Sequence, residues 1–201
     1  MRLTGAITAG GRSRRFGQDK ALYRMGGHTL LERAAFSLGA CWPRLLIAPE
    51  GRYALADWEA VGDLRPGLGP LAGLETALSA APAGWLAYCA VDLPCLTPAY
   101  WGRLLARTQP DARTVVGLDA QGRRQPLAAL YHSSALATVS ALLDAGERRM
   151  LALLDELESV SVPWSELQDL GGQLYHNLNT PQDADALGSA LSLAPNGREA
   201  G

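Results

Sequence analysis

The sequence predicts an α/β fold in which a mostly parallel β-sheet is covered by helices on both faces. Short apolar runs alternate with segments of helical periodicity along almost the whole chain, a pattern typical of parallel strands joined by helices. Several apolar runs also end directly in glycine, proline or aspartate, as strands do where they enter loops. The 201 residues, 48% of them hydrophobic, suffice for one domain with a normal core.

The first half of the chain opens with an apolar strand at Leu3–Thr8 that runs into glycines. Gly26-Gly27 predicts a turn, and Thr29–Leu38 carries apolar residues at helical spacing. The other elements predicted in this half are strands at Leu45–Ala48, Val61–Leu64 and Trp85–Val91, and helices at Tyr53–Trp58, at Leu74–Ala81 and from Pro98 to about Arg107, the last with Thr97 as its N-cap.

The second half continues the alternation and ends in a small polar tail. We expect a single domain over residues 1–191 and a frayed segment over residues 192–201. The predicted strands are Thr114–Leu118, Leu127–Tyr131, Val160–Val162 and Leu174–Leu178, and the predicted helices are Ser133–Ala145, Arg148–Leu157 and Pro181–Leu191.

Composition excludes several classes of protein. The net charge of -2 provides no general basic field for nucleic acid, so any anion recognition must be local. The three cysteines, Cys41, Cys89 and Cys95, have no paired spacing, which favours buried or incidental free thiols over disulfides or a zinc site. The N-terminal apolar run is too short for a signal peptide or a membrane span. We therefore expect a cytoplasmic protein.

The glycine-rich, basic stretch Thr8–Lys20 is the first candidate for chemistry. Glycines let backbone N–H groups approach phosphate oxygens, and arginine and lysine side chains neutralise phosphate charge. Four cations lie between Arg12 and Lys20, yet neither a Walker A motif nor a GxGxxG fingerprint is present. Spacing alone leaves phosphate binding and a solvated basic loop equally open.

Two aspartates follow other predicted strands. In parallel sheets, ligands bind beyond the carboxyl ends of the strands, so the loops at 9–20, 48–50, 63–73 and 92–94 should converge on one crevice. Asp92 follows the most apolar strand and is a candidate Mg²⁺ ligand, although an aspartate at a turn is often structural. Asp63 and the loop Gly67–Gly73 are candidates for nucleotide contact, or form only a tight connection.

The C-terminal third offers two further candidates. Arg148 and Arg149 follow Gly146-Glu147 and could bind an anionic second substrate, or belong to an ordinary helix start. Asn177 and Asn179 precede a good N-cap at Thr180, and the cap does not explain either amide. The histidines lack ligand spacing, and no GxSxG motif supports a serine hydrolase.

In their order, these motifs resemble the MobA family of molybdenum cofactor guanylyltransferases. The family motif LAGGxxxRMGxDK corresponds to TAGGRSRRFGQDK from Thr8 to Lys20. The other matches extend to about Leu187. Asp63 precedes GPLAG at 69–73, VDLP at 91–94 corresponds to the family's CDxP or a similar sequence, GERR stands at 146–149, and NLNTPQD at 177–183 corresponds to NxNTPEE.

The resemblance implies a three-layer αβα, Rossmann-like nucleotidyltransferase fold and transfer of GMP from GTP to the phosphate of molybdopterin. It implies catalytic roles for Lys20, Asp92 and Arg15, with Asp92 holding Mg²⁺. It also implies transient contacts with other cofactor-biosynthesis proteins or acceptor molybdoenzymes. The implied nucleotide-binding residues are Thr8, Ala9, Gly10, Gly11, Lys20, Asp63 and Asp92, and the implied acceptor-binding residues are Arg148, Arg149, Asn177 and Asn179.

The chain departs from the family pattern at four positions. Thr8 replaces a leucine, Phe16 a methionine, Ala48 an asparagine that contacts the nucleotide, and Gln125 a histidine before proline. Two alternatives therefore stay open. One is a related transferase that uses CTP or a sugar or polyol phosphate, although Gly11 favours a purine nucleotide. The other is a nucleotide-binding module without catalysis.

Overall fold

The computed structural model describes residues 2–10, 19–180, 182–183 and 187. The predicted site residues Gly11 and Arg15, most of the predicted helix Pro181–Leu191 and the tail at 192–201 lie outside these ranges. The strands are β1 Thr4–Thr8, β2 Arg24–Met25, β3 His28–Thr29, β4 Arg44–Ile47, β5 Glu59–Val61, β6 Trp85–Ala90, β7 Thr114–Leu118, β8 Arg124–His132 and β9 Ser159–Val162. The α-helices are α1 Leu30–Ser37, α2 Pro70–Ala80, α3 Pro98–Leu105, α4 Leu136–Asp144 and α5 Met150–Glu156.

Within the described ranges, one seven-stranded sheet has the order β5-β4-β1-β6-β8-β7-β9. Strand β1 is parallel to β4 and β6, β4 is parallel to β5, and β7 is parallel to β9. Strand β8 is antiparallel to both of its neighbours, β6 and β7. All strands of this sheet except β8 therefore run in one direction, and the predicted mostly parallel sheet is confirmed.

Helices cover both faces of the sheet. Successive residues of β6 alternate between two apolar cores, with Ala87 and Cys89 in one and Leu86 and Tyr88 in the other. The first core includes residues of α1 and α3, and the second includes residues of α2, α4 and α5. The three-layer αβα architecture is thus confirmed. No helix in the described ranges has the length and apolarity needed to span a membrane.

Local signals in the sequence predict helix α1 and the turn before it well. Thr29 caps α1 in a reciprocal capping box with Glu32, because its hydroxyl accepts from the Glu32 N–H and the Glu32 carboxylate accepts from the Thr29 N–H. Gly26 and Gly27 both have positive φ and close the short β2–β3 ribbon. The predicted turn and helix are confirmed at these positions.

Three predicted elements differ from the structure. Tyr53–Trp58 is a loop rather than a helix: Asp57 has φ of 64°, which interrupts right-handed helical geometry, and the Tyr53 hydroxyl is bonded elsewhere. Leu174–Leu178 contains turns rather than a strand. The short strand predicted at Val61–Leu64 instead lies at Glu59–Val61, where it pairs with β4.

Candidate active site

The predicted crevice lies at the carboxyl end of four adjacent parallel strands, β5, β4, β1 and β6. Backbone hydrogen bonds continue the ladder beyond these strands: the Ala9 N–H donates to Ile47, the Ala48 N–H to Val61 and the Val91 N–H to Thr8, at 2.9, 3.2 and 3.2 Å. The four predicted loops therefore start from neighbouring strands at one edge of the sheet, as the sequence predicts, and their convergence on one crevice stays a prediction because residues 11–18 lie outside the described ranges.

Lys20, Asp92 and Asn177 meet at this edge. The Lys20 Nζ lies 3.0 Å from the Asp92 Oδ2 and donates a longer hydrogen bond of 3.5 Å to the Asn177 Oδ1. The Lys20 and Asp92 side chains are only 12% and 21% exposed, so water screens the ion pair weakly. A backbone hydrogen bond keeps Asn177 beside Asp92, because the N–H of the next residue, Leu178, donates to the Asp92 carbonyl at 3.1 Å.

Lys20 is the only lysine in the sequence, and all other basic side chains except the histidines are arginines. An ammonium is compact, whereas a guanidinium tends to bind both oxygens of a carboxylate at once. The ammonium of Lys20 donates to one oxygen of Asp92, the Oδ2, and does not bond the other.

That second oxygen, the Oδ1 of Asp92, is buried and has no hydrogen-bond partner among the residues that the structure describes. A buried carboxylate oxygen without a partner is costly, and a hard divalent cation is a natural ligand for it. Among the described residues, no group of three or more histidine, cysteine, aspartate or glutamate side chains could hold a metal ion. The free carboxylate oxygen of Asp92 fits Mg²⁺, which proteins commonly hold by one or two carboxylates together with substrate phosphates.

Asp19, the residue before Lys20, connects the end of the glycine-rich loop to the segment after β4. Its carboxylate accepts hydrogen bonds from the Tyr53 hydroxyl at 2.8 Å, from the Arg52 guanidinium at 2.8 and 3.0 Å, and from the Ala21 N–H at 3.1 Å. Partial burial disfavours the charged form, but the hydrogen bonds from Tyr53 and Arg52 outweigh it and lower the pKa of Asp19. We call this set of three side chains the Asp19 clamp.

The spacing of these three residues does not predict the clamp. Two signals point to it in retrospect: Asp19 lies inside the basic motif, and Arg52 and Tyr53 follow the end of a predicted strand. Because the carboxylate caps the short 3₁₀ helix Lys20–Leu22, the clamp determines where the backbone of Lys20 lies.

The start of the glycine-rich loop packs closely against helix α2. A Cβ added to Gly73 would lie 2.8 Å from the Tyr88 hydroxyl and 3.0 Å from the Thr8 hydroxyl, so glycine is required there. The Tyr88 hydroxyl also donates to the Pro70 carbonyl at 2.7 Å. Ala9 is buried, while Gly10 is exposed and an added Cβ there would lie 4.0 Å from the Pro49 Cδ.

Asp63 organises the loop after β5. Its Oδ1 accepts from the Arg65 N–H at 3.0 Å and from the Thr76 hydroxyl at 3.3 Å. Arg65 in turn binds both carboxylate oxygens of the buried Glu75 and one oxygen of Asp144. These contacts give Asp63 a structural role, and its nucleotide contact stays a prediction.

Of the predicted acceptor residues, the structure brings only Asn177 to Lys20. Arg148 and Arg149 are exposed at the start of α5 and, within the described ranges, contact neither Lys20 nor Asp92. The Arg149 side chain pairs with Glu147, whose carboxylate also accepts the N–H groups of both arginines. Hydrogen bonds from the Arg149 side chain and from these N–H groups lower the pKa of Glu147 to about 2.

Asn179 is exposed, and its backbone N–H donates to Asp183 at 2.8 Å. The same carboxylate accepts from the Thr180 N–H, and the Thr180 hydroxyl accepts from the Asp183 N–H. This reciprocal arrangement confirms the cap predicted at Thr180. The side-chain amide of Asn179 takes no part in the cap.

Comparison with known proteins finds a matching family and several relatives of this chain. Residues 5–160 match the family described as MobA-like NTP transferase domain. The chain is 49% identical over 181 residues to a probable molybdenum cofactor guanylyltransferase of Deinococcus radiodurans, covering 90% of this chain and 91% of that protein. It is 37% identical over 195 residues to a protein of the same description from Opitutus terrae, covering 91% and 93%.

Two solved structures share the fold. The molybdopterin-guanine dinucleotide biosynthesis protein A of Archaeoglobus fulgidus has a TM-score of 0.77 at 24% identity, covering 94% of this chain and 98% of that one. The 2-C-methyl-D-erythritol 4-phosphate cytidylyltransferase of Thermus thermophilus has a TM-score of 0.70 at 21% identity, covering 96% and 99%. At these identities the likeness concerns the fold alone.

Proposed function

Because the chain belongs to the family of MobA-like NTP transferase domains, we propose that it transfers GMP from GTP to the phosphate of molybdopterin and releases pyrophosphate. Relatives that are 49% and 37% identical over nine-tenths of the chain are named for this guanylyl transfer. The structural observation that carries the proposal is the ion pair of Lys20 and Asp92, in which the second oxygen of Asp92 is buried and lacks a partner within the described part of the chain.

The reaction requires little covalent chemistry from the protein. An oxygen of the acceptor phosphate forms a bond to the α-phosphorus of GTP, and the bond from that phosphorus to the β-phosphate oxygen breaks. The electron pair of the broken bond leaves on pyrophosphate. Because the attacking oxygen is already anionic, no strong general base is needed, and the rate depends on positioning and on charge neutralisation.

The residues at the sheet edge suit these two tasks. Lys20 donates hydrogen bonds to phosphate oxygens once its own bond to Asp92 is exchanged, and Arg15 adds positive charge toward the leaving pyrophosphate. Asp92 would hold Mg²⁺, and when bound this ion supplies further neutralisation of the phosphate charge. The N–H groups of the loop at 8–11 hold the phosphates, while Asp63 contacts the nucleotide.

The acceptor is placed on the other side of Asp92. We assign Asn177 and Asn179 to the region near the acceptor phosphate, because Asn177 already contacts Lys20 at 3.5 Å. Arg148 and Arg149 provide positive charge at the start of α5 for an anionic acceptor.

A nucleotide panel tests the proposal. Purified protein with Mg²⁺ and molybdopterin is supplied with GTP, CTP or ATP, and pyrophosphate release is measured. We expect release with GTP and a loss of about 10²–10³ in rate for Asp92→Asn, the loss typical when one electrostatic contact is removed. Release with CTP alone would instead show a cytidylyltransferase, and tight GTP binding by calorimetry without release would show a binding module.

A further inference from the structure

Tyr88 of β6 lies in the middle of the sheet. It pairs with Ala6 of β1 and with Ala129 of β8, and its side chain is fully buried. A buried tyrosine hydroxyl needs a hydrogen-bond partner, and here it donates at 2.7 Å to the carbonyl of Pro70, the first residue of α2. Tyr88 therefore connects the start of α2 to the central strands.

The ring of Tyr88 is held by its neighbours. It meets the ring of Tyr131 edge to face, with centroids 6.2 Å apart and planes at 78°. Both rings are fully buried in the core that the sheet forms with α2, α4 and α5. Because side chains in a close-packed core adopt defined rotamers, the Tyr88 hydroxyl has a fixed position relative to the sheet.

The hydroxyl of Thr8 is a second polar neighbour of Tyr88. Both hydroxyls face the same point of α2, since a Cβ added to Gly73 would lie 2.8 Å from the Tyr88 oxygen and 3.0 Å from the Thr8 oxygen. Burial raises the pKa of Tyr88, and a hydrogen bond with Thr8 opposes that rise. Because the proton of Tyr88 goes to the Pro70 carbonyl, which can only accept, Thr8 is the donor in this contact.

The contacts form a chain from Thr8 through Tyr88 to Pro70. Thr8 ends β1 and begins the glycine-rich loop, and Pro70 belongs to the segment 63–73 that follows β5. Asp63, at the start of that segment, lies near enough for its negative charge to add to the rise in the pKa of Tyr88. Two segments that leave different strands at the catalytic edge therefore meet at one hydroxyl.

The Thr8 hydroxyl departs from the resembling family, which has leucine at this position. The backbone of Thr8 is fixed on both sides, because its Cα is level with Ile47 of β4 and with Ala90 of β6. Its carbonyl also accepts from the Val91 N–H at 3.2 Å. A leucine side chain cannot donate to Tyr88, so the hydrogen-bonded chain depends on the threonine of this sequence.

We infer that Tyr88 is a positioning residue for GTP, which acts through Thr8 and Pro70 and has no contact with the substrate. It holds the glycine-rich loop and the segment 63–73 at the separation that the nucleotide requires. This inference rests on the proposed function, which assigns both sides of the chain to GTP. Since preorganisation reduces the entropic cost of binding, loss of the chain should weaken nucleotide affinity.

Tyr88→Phe and Thr8→Val test the inference, because each removes one hydroxyl with little change in volume. We expect each to raise the Kd for GTP, measured by calorimetry without acceptor, about 5- to 10-fold, the effect of one hydrogen bond. The kcat of pyrophosphate release at saturating GTP should stay within about twofold, because bound nucleotide itself restores the spacing. Thr8→Ser keeps the hydroxyl and should bind GTP nearly as wild type does. The double variant should bind no more weakly than the weaker single variant, since both substitutions break one chain.

Tyr131→Phe is the matched control. Tyr131 is equally buried on the neighbouring strand β8 and also donates to a proline carbonyl, that of Pro126, at 2.8 Å. Its loss should lower the free energy of unfolding in urea about as much as Tyr88→Phe does, yet leave the Kd for GTP within about twofold. A purely structural role of Tyr88 would make the two variants alike in GTP binding.

The outcomes separate the two proposals. If wild-type protein transfers GMP but Tyr88→Phe binds GTP as tightly as Tyr131→Phe, the inference is overturned and the proposed function stands. Additive losses in the double variant would also overturn it, because Thr8 and Tyr88 would then act separately. If the variants show the expected Kd values but wild-type protein releases no pyrophosphate, the inference is supported and the proposed function fails. Wild-type protein that binds no GTP would overturn both.

Discussion

The Nζ of Lys20 lies 3.0 Å from the Oδ2 of Asp92, although 72 residues separate them in sequence. Each side chain partly neutralises the other, which makes the buried Asp92 carboxylate tolerable without a metal ion. Under the proposed function the pair is a resting arrangement, and we expect substrate binding to move Lys20 to phosphate and Asp92 to the cation. Such an exchange requires a flexible side chain that bonds one carboxylate oxygen at a time, as the ammonium of lysine does.

Lys20→Arg should be nearly as inactive as Lys20→Ala. Removing the ammonium loses about 10²–10³ in kcat, since the charge that develops on pyrophosphate is no longer stabilised. The arginine keeps the charge but tends to bind both oxygens of Asp92, which removes the free oxygen from use. Pyrophosphate release under saturating GTP and Mg²⁺ measures both. Lys20→Arg activity within tenfold of wild type would contradict the single-oxygen argument.

Amine labelling should report directly on Lys20, because the sequence has no other lysine. With GTP and Mg²⁺ at about ten times the Kd, acetylation of Lys20 should fall about tenfold, since only the free protein reacts. Mass spectrometry of the labelled peptide gives the rate, and the α-amine of the same protein is the internal reference. Equal labelling with and without nucleotide would show that Lys20 does not contact the phosphates.

The sequence predicts that Lys20 and Asp92 lie at the same edge of the sheet. The rule that ligands bind beyond the carboxyl ends of parallel strands requires only that the strand ends be located. The sequence does not predict the contact of Lys20 with Asn177. The segment that contains Asn177, Leu174–Leu178, is predicted as a strand but contains turns in the structure. The Asp19 clamp depends on how the long side chain of Arg52 folds back, which periodicity does not encode. The insertion of antiparallel β8 between β6 and β7 is a nonlocal arrangement that no local motif in the sequence predicts.

The Asp19 clamp should make stability depend on pH in acid. The pKa of Asp19 is lowered below its ordinary value of 3.8, so its contribution is complete above that value and is lost as the pH falls through the folded-state pKa. Asp19→Asn should cost about 1 kcal/mol of unfolding free energy near pH 7, because the bonds to Arg52 and Tyr53 are partly exposed to water. Urea unfolding of both proteins from pH 3 to 8 measures the difference.

We expect that difference to begin to shrink as the pH falls below 3.8, where Asp19 of the unfolded chain becomes protonated, and to go on shrinking through the lower folded-state pKa. Tyr53→Phe is the matched variant, since it removes one hydroxyl from the clamp and keeps the carboxylate charge. A difference between wild type and Asp19→Asn that stays constant from pH 3 to 8 would show that the charge of Asp19 contributes nothing to stability.

Gly73→Ala should destabilise the protein although alanine is the better helix former. Helix propensity alone favours the change by up to about 1 kcal/mol. The new methyl group would, however, lie 2.8 Å from the Tyr88 hydroxyl and 3.0 Å from the Thr8 hydroxyl, both on strands beneath α2. Overpacking of this kind costs about 1–3 kcal/mol, so the steric effect outweighs propensity.

Gly102→Ala is the control for this substitution, because Gly102 lies in helix α3 and an added Cβ would meet nothing within 4 Å. It should raise the free energy of unfolding by up to about 1 kcal/mol, while Gly73→Ala lowers it. Chemical denaturation of both variants gives the two signs. The close approach of α2 to β1 also positions the start of the glycine-rich loop, so Gly73→Ala should raise KM for GTP and Gly102→Ala should not. Stabilisation by both alanines would refute the argument that the helix needs glycine to pack at this distance.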